Sequence, residues 1–299
     1  MVTGGASRRA AERRHEPVLL DEVVGHLAAG PGVRCVDCTL GLGGHAAALL
    51  RMGATVLGID RDPQARSLAS GRLASFGDRF SLYSRPAGFA AATGELAARG
   101  ERFDALLADL GVSSLQLDLA ERGFGMRSDA PLDMRMGADC PHTALELIDR
   151  LSTEELAGII WRYGEERASR RVARALKRAR ERGVYSGREL ADAVAAAVPG
   201  RHPRHPAQRT FQALRIATND ELGELKSLLR LLPDLLRPGG RAAIISFHSL
   251  EDRLVKQAFR HHHADGRLAA ISRKVVTPGP AELARNRRAA SARLRWAVR

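Results

Sequence analysis

Val33-Arg34-Cys35-Val36-Asp37-Cys38-Thr39-Leu40-Gly41-Leu42-Gly43-Gly44-His45 carries a short apolar run into a glycine-rich turn and then into a stretch of helical spacing. Glycines there let a ligand approach the backbone, and a helix start offers unpaired N–H groups to electron-rich atoms. Working outward, apolar runs alternate with amphipathic stretches. Val33 to Cys38, Ala54 to Ile59, Phe80 to Tyr83 and Ala105 to Asp109 read as strands. Gly44 to Arg51, Pro63 to Ser75 and Phe89 to Arg99 read as helices, with Asp62-Pro63 as a start signal. Such βα repeats imply a parallel sheet. After Ser114 the alternation stops, and Leu117 to about Leu214 shows turns and helical spacing without a strong strand. It resumes with a helix from Asp220 to Leu236, a Pro238-Gly239-Gly240 turn and an apolar strand from Ala242 to Phe247. The expected architecture is an α/β core with an inserted all-α domain: a basic, disordered tail over 1–14, core over 15–119, a helical domain over 120–215, and core again over 216–299.

A chain of 299 residues with 44% apolar side chains can bury a sizeable core. Its three cysteines, Cys35, Cys38 and Cys140, are too few and too odd in number for a disulfide framework. No stretch approaches the roughly 18 consecutive apolar residues of a membrane span, so the expected protein is soluble and cytoplasmic. The formal charge of +13 arises from 43 Arg and 4 Lys against 34 acids. Choosing Arg over Lys, beside abundant Ala and Gly, reflects a GC-rich genome; the surplus of charge points to a polyanion, RNA or DNA ahead of a membrane surface. Basic residues cluster between Arg162 and Arg188, between Arg267 and Arg299, and at Arg8, Arg9, Arg13 and Arg14. Together they form an expected phosphate-binding surface.

The glycine turn departs from G-x-G-x-x-G, since Ala46 stands where a dehydrogenase keeps its third glycine. Asp60 ends the second strand, where its carboxylate can accept two hydrogen bonds from a ribose diol, which serves NAD and S-adenosylmethionine equally. Leu236-Arg237-Pro238-Gly239-Gly240-Arg241 resembles the turn before the fifth strand of class I (Rossmann-like) S-adenosylmethionine-dependent methyltransferases, and this decides between the two. Asp109 closes the fourth strand, facing both methyl group and acceptor in that fold. Methyl transfer to nitrogen is an in-line displacement that needs positioning and dehydration. A carboxylate that accepts a hydrogen bond from an exocyclic amine turns the nitrogen lone pair toward the methyl, so Asp109 is the expected catalytic group. No metal is expected: Cys35 and Cys38 point to opposite faces of one strand and lack a second pair. His261-His262-His263 reads as a solvated helix terminus.

The segments His15 to Leu20, Asp37 to His45, Asp109 to Gln116, Glu121 to Phe124, Pro131 to Met136, Tyr163 to Arg167, Arg209 to Ile216 and Ser246 to Arg253 resemble, in the same order, the bacterial ribosomal RNA small subunit methyltransferase H family, also called MraW. The resemblance implies methyl transfer from S-adenosylmethionine to N4 of one cytosine in the decoding centre (P site) of 16S rRNA, with the 30S subunit as partner. Carried over by position, the cofactor contacts are Gly43, Gly44 and His45 at the loop, Asp60 at the ribose, and Asp109 and Gln116 near the methionine end. The aromatic contact falls on Phe89, which Ser84 to Gly88 place later than the family pattern does. Arg287 also stands where the family usually has proline. Arg209, Phe211 and Gln212 are candidate RNA contacts, with Phe211 open to a core role. His248 either faces the acceptor or satisfies a helix start. A DNA amino-methyltransferase would carry an Asp-Pro-Pro-aromatic motif, which Asp109 lacks. A non-catalytic RNA-binding assembly factor of the same fold is the alternative.

Overall fold

The computed structural model describes residues 17–200 and 202–299; the tail assigned to 1–14 and the start of the first family-like segment lie outside the described residues. In chain order the elements are α1 (Leu20–Leu27), β1 (Arg34–Asp37), α2 (Gly44–Arg51), β2 (Thr55–Gly58), α3 (Pro63–Leu73), β3 (Phe80–Leu82), α4 (Phe89–Ala98) and β4 (Phe103–Asp109). There follow α5 (Ser114–Asp118), α6 (Ala144–Arg150), α7 (Thr153–Gly164), α8 (Ser169–Glu181), α9 (Gly187–Ala197) and α10 (Gln208–Asn219). The chain closes with α11 (Glu221–Leu235), β5 (Leu236–Ser246), α12 (Ser249–Ala264), β6 (Ala270–Ile271), α13 (Pro280–Arg285) and β7 (Arg293–Val298). Residues up to Gly111 with Leu222–Arg299 form one compact unit, and Val112–Glu221 a second.

The first unit is built on a seven-stranded sheet in the order β3-β2-β1-β4-β5-β7-β6, parallel except for β7, which runs antiparallel to β5 and β6. This is the α/β, class I methyltransferase arrangement expected. The strands are apolar on both faces because helices cover both. Val36, Leu106, Ala108 and Ile244 pack with Leu96, Leu228 and Phe259. On the opposite face, Cys35, Leu107 and Ile245 pack with Val23, Leu27, Leu50 and Ala69. Cys35 and Cys38 thus fall in different halves of the core, both free thiols. Burial pushes the Cys35 thiol up to about 12. Strand order reverses between β1 and β4, where doubly wound sheets open a crevice at the strands' carboxyl ends.

Two features of this sheet differ from the sequence reading. The Pro238-Gly239-Gly240 turn does not precede β5 but sits inside it, as a bulge between the pairs Phe103 with Leu236 and Ala105 with Arg241. Gly239 takes a left-handed φ of 79° and donates its N–H to the Arg299 carbonyl at 2.8 Å. The terminal segment read only as a basic run contains β7, where Leu294 and Ala297 are buried and Arg295 is buried against Asp252.

The second unit has its own core, in which Leu132, Ile148, Ile160, Val172, Leu176, Leu190 and Leu214 meet. Among the described residues it holds no strand beyond one bridge, Pro131 to Ser186. Ser113, Thr143 and Ser152 open its helices in reciprocal capping boxes with Gln116, Glu146 and Glu155. In α8, Val172, Ala173 and Leu176 face inward while Arg170, Arg171, Arg174 and Arg178 are exposed. The unit's ends fall at Gly111/Val112 and Glu221/Leu222 rather than at 119/120 and 215/216. Side chains from both ends explain this. Gln116 donates to the Met136 carbonyl at 3.4 Å. Asn219 donates to Met134 O at 2.8 Å and accepts from Met136 N at 2.7 Å. No helix of the described residues is long and apolar enough to cross a membrane.

Candidate active site

Three adjacent parallel strands end in aspartates. Asp37 closes β1, Asp109 closes β4, and Asp60 follows β2; the register pairs Asp37 with Gly58 on one side and Leu107 on the other. Parallel neighbours in register bring these carboxylates to one edge of the sheet, at the switch point. Asp37 is buried and accepts the Thr39 N–H at 3.1 Å, while the Thr39 hydroxyl oxygen accepts the Asp109 N–H at 2.6 Å. Asp60 accepts from Gly41 N–H at 2.7 Å and, on its other oxygen, from Asp62 N–H at 2.8 Å. A carboxylate keeps further lone pairs beyond these two bonds.

Crowding of acids in a dry crevice makes ionisation costly. Burial pushes Asp37 up to about 7 despite the Thr39 N–H. Burial also pushes Asp60 up to about 6, against the pull of its two backbone N–H partners. Asp109 is also raised, first by burial and then by the nearby charges of Asp37 and Glu251. The Asp109 side chain is 23% exposed, yet its Oδ1 is shut off from solvent with no hydrogen-bond partner.

The glycine loop supplies the other wall. Gly41 and Gly43 take φ of 52° and 73°, and a Cβ on Gly43 would lie 2.9 Å from Leu73 Cδ1. Gly43 starts α2 without a side-chain cap, so the N–H groups of its first turn, at Gly44 and His45, face the loop. The His45 ring is buried, and Nε2 donates to the Val18 carbonyl at 2.9 Å. The other ring nitrogen, Nδ1, lies 3.7 Å from Asp109 Oδ2. The loop after β3 is tied to Asp60 by Ala87 N–H on its carbonyl at 3.3 Å, which sets Phe89, half-buried, at the start of α4.

Other expected residues are placed differently. Gln116 lies in the second unit, buried, its Oε1 accepting the Ser113 N–H at 3.0 Å. Arg209 is exposed and donates to the Glu165 carbonyl, and Gln212 donates to the Tyr163 carbonyl, both at 3.2 Å. Phe211 is 5% exposed within the helical core, which removes it as a base-stacking residue: its position on α10 turns it inward with Leu214. His248 takes the helix-start role offered for it, while its Nε2 is buried without a hydrogen-bond partner. It caps α12, with Nδ1 accepting the Glu251 N–H at 3.4 Å and Glu251 accepting the Phe247 and His248 N–H groups at 2.8 and 3.3 Å.

Sequence reading gave no role to Asp37 or Thr39, and to Glu251 only that of a candidate partner for His248. The available signal was an acid at the ends of β1, β2 and β4, but it acquires meaning only once strand order makes them neighbours. An edge of converging acids with an unpartnered buried oxygen, beside a helix start rich in N–H groups, suits a ligand with a cationic centre, a diol and a carboxylate.

A profile of the MraW methylase family matches residues 12–299. Proteins named ribosomal RNA small subunit methyltransferase H are similar over almost the whole chain. That of Gloeobacter violaceus is 48% identical over 297 residues, covering 99% of this chain and 91% of its own. That of Synechococcus sp. strain CC9605 is 50% identical over 295 residues, covering 95% and 97%. That of Anaeromyxobacter sp. strain K is 48% identical over 305 residues, covering 96% and 98%. With such coverage and identity, and with the sheet order described above, the chain belongs to the MraW methylase family of S-adenosylmethionine-dependent methyltransferases.

Proposed function

We propose that this protein methylates N4 of one cytosine at the P site of 16S rRNA, acting in the cytoplasm on the 30S subunit. The observation that carries the reading is the buried, unpartnered Asp109 Oδ1 at the tip of β4, beside the glycine loop. S-adenosylmethionine, when bound, supplies an electrophilic methyl on a sulfonium. Asp60 would hold its ribose diol, the N–H groups of Gly43, Gly44 and His45 would face its carboxylate, and Phe89 would lie against its base. A cation among Asp37, Asp60 and Asp109 favours their charged forms and relieves their mutual repulsion.

Asp109, as a carboxylate, accepts a hydrogen bond from the cytosine amine and turns the lone pair away from the ring. Were N4 to take the methyl carbon, the S–C electron pair would stay on sulfur and the nitrogen would have to shed a proton. Asp109, whose affinity for a proton is raised by burial, receives it. His45 Nδ1 lies near the other Asp109 oxygen, where it can accept a hydrogen bond once Asp109 carries the proton. The helical unit, with Arg209, Gln212 and the exposed arginines of α8, serves as the RNA-recognition domain.

The test is incubation with methyl-labelled cofactor and 30S particles lacking the mark, followed by nucleoside analysis. Label in N4-methylcytidine is the expected result. Label in another nucleoside, or none, overturns the reading.

A further inference from the structure

Away from the acidic strand ends, a cavity of about 150 Å³ opens in the first unit between α12 and the β6–β7 pair. Its floor is apolar, made by Phe259 and Ile271, and its rim carries Lys256, Arg260 and Arg273. None of these three cations has an ion pair or hydrogen bond among the described residues. Lys256 and Arg260 stand one turn apart on α12, where like charges repel. Arg295 also lines the cavity, but Asp252 neutralises it with two bonds of 2.7 and 3.2 Å. Ser272, buried in the wall, accepts the Trp296 N–H at 3.3 Å and keeps its own hydroxyl proton to donate.

We propose that this cavity binds a phosphate group of the RNA backbone. Three unopposed cations and a hydroxyl donor over an apolar floor match an anion with several acceptor oxygens. RNA fits better than a lipid headgroup, because no exposed large apolar side chain among the described residues lines the cavity, whereas a membrane-seated surface presents such groups. The choice of RNA rests on the reading above that the substrate is rRNA. The site extends that reading by placing a phosphate contact on the sheet unit, at β6 and β7, rather than on the helical insertion.

The experiment measures binding of the full chain to a fluorescent RNA copy of the 16S decoding region across a salt series, with binding to phosphatidylglycerol vesicles as a second arm. In K256A/R260A/R273A, affinity for the RNA is expected to fall about tenfold at low salt and the log–log salt slope to shrink by about one, the signature of one lost phosphate contact. Charge reversal in R260E/R273E, both at exposed positions, should weaken binding further. Cofactor binding, thermal midpoint and kcat at saturating 30S subunits should match the parent, with KM raised. Parental affinity and slope overturn the proposal, as does a loss confined to the vesicles. Absence of methyl transfer by the parent with the slope change intact sinks the rRNA-methylation reading and leaves the phosphate site standing.

Discussion

In the proposed reaction, Asp109 concentrates the chemistry in one carboxylate. Replacing it with Asn keeps the shape but lowers basicity and acceptor strength, so kcat should fall by on the order of 10²-fold or more, while cofactor affinity by titration calorimetry stays within a few fold. Parental turnover would remove its role. Because burial raises Asp109, kcat should rise with pH through that raised value and flatten in Asp109→Asn. If Asp60 holds the ribose as proposed, Asp60→Ala removes two charge-assisted hydrogen bonds to the diol. Cofactor affinity should drop about 10- to 100-fold, and an unchanged dissociation constant would contradict that assignment. Asp37 bears on stability. Its folded pKa of about 7 lies above the unfolded value near 3.9, so the fold holds the proton more tightly. The resulting stabilisation is complete below about pH 4 and is lost as pH rises through about 7. Asp37→Asn should therefore gain on the parent in denaturant midpoint between pH 5 and 8, by on the order of 1–4 kcal/mol. A constant difference across that range would refute it.

At the scale of elements, the glycine turn is held by sterics as well as by chain conformation. Gly43→Ala must adopt a φ of 73° and seat a Cβ 2.9 Å from Leu73 on α3. The expected cost is about 1–3 kcal/mol of stability together with weaker cofactor binding, since the first turn of α2 shifts. Thermal denaturation and calorimetry check both. Most elements near this turn were legible from residue pattern: α2 begins at Gly44, α3 at Pro63 behind its Asp62 cap, and α4 at Phe89, as read. β6 and β7 were not, because a two-residue edge strand and a strand with Arg293 and Arg295 look like a solvated charge run until their partner strands are known. Arg295 in particular is buried only because Asp252 on α12 stands opposite it.

Over the whole molecule, charge is sorted by location. The formal charge is +13, yet the strand ends of the sheet gather acids. A cationic donor and a polyanionic acceptor are thereby drawn to different surfaces. Binding to rRNA should weaken steeply with salt, by close to one unit of log–log slope for each phosphate neutralised. A flat response would mean that the arginines serve solvation alone.

Local patterning alone settled the alternation of strands and helices, the helical character of the middle of the chain and the basic surplus, because periodicity and charge are properties of neighbours in sequence. The same reasoning picked out Asp60 and Asp109, as strand-end acids. Contacts between distant residues decided the rest. Strand order joined Asp37 to Asp60 and Asp109, and the turn of α10 carried Phe211 into a core. The fit of Glu251 to the start of α12 made His248 a cap. A side chain's type is written in the chain, but whether it meets water, a partner or a neighbouring charge is fixed by what folding brings beside it.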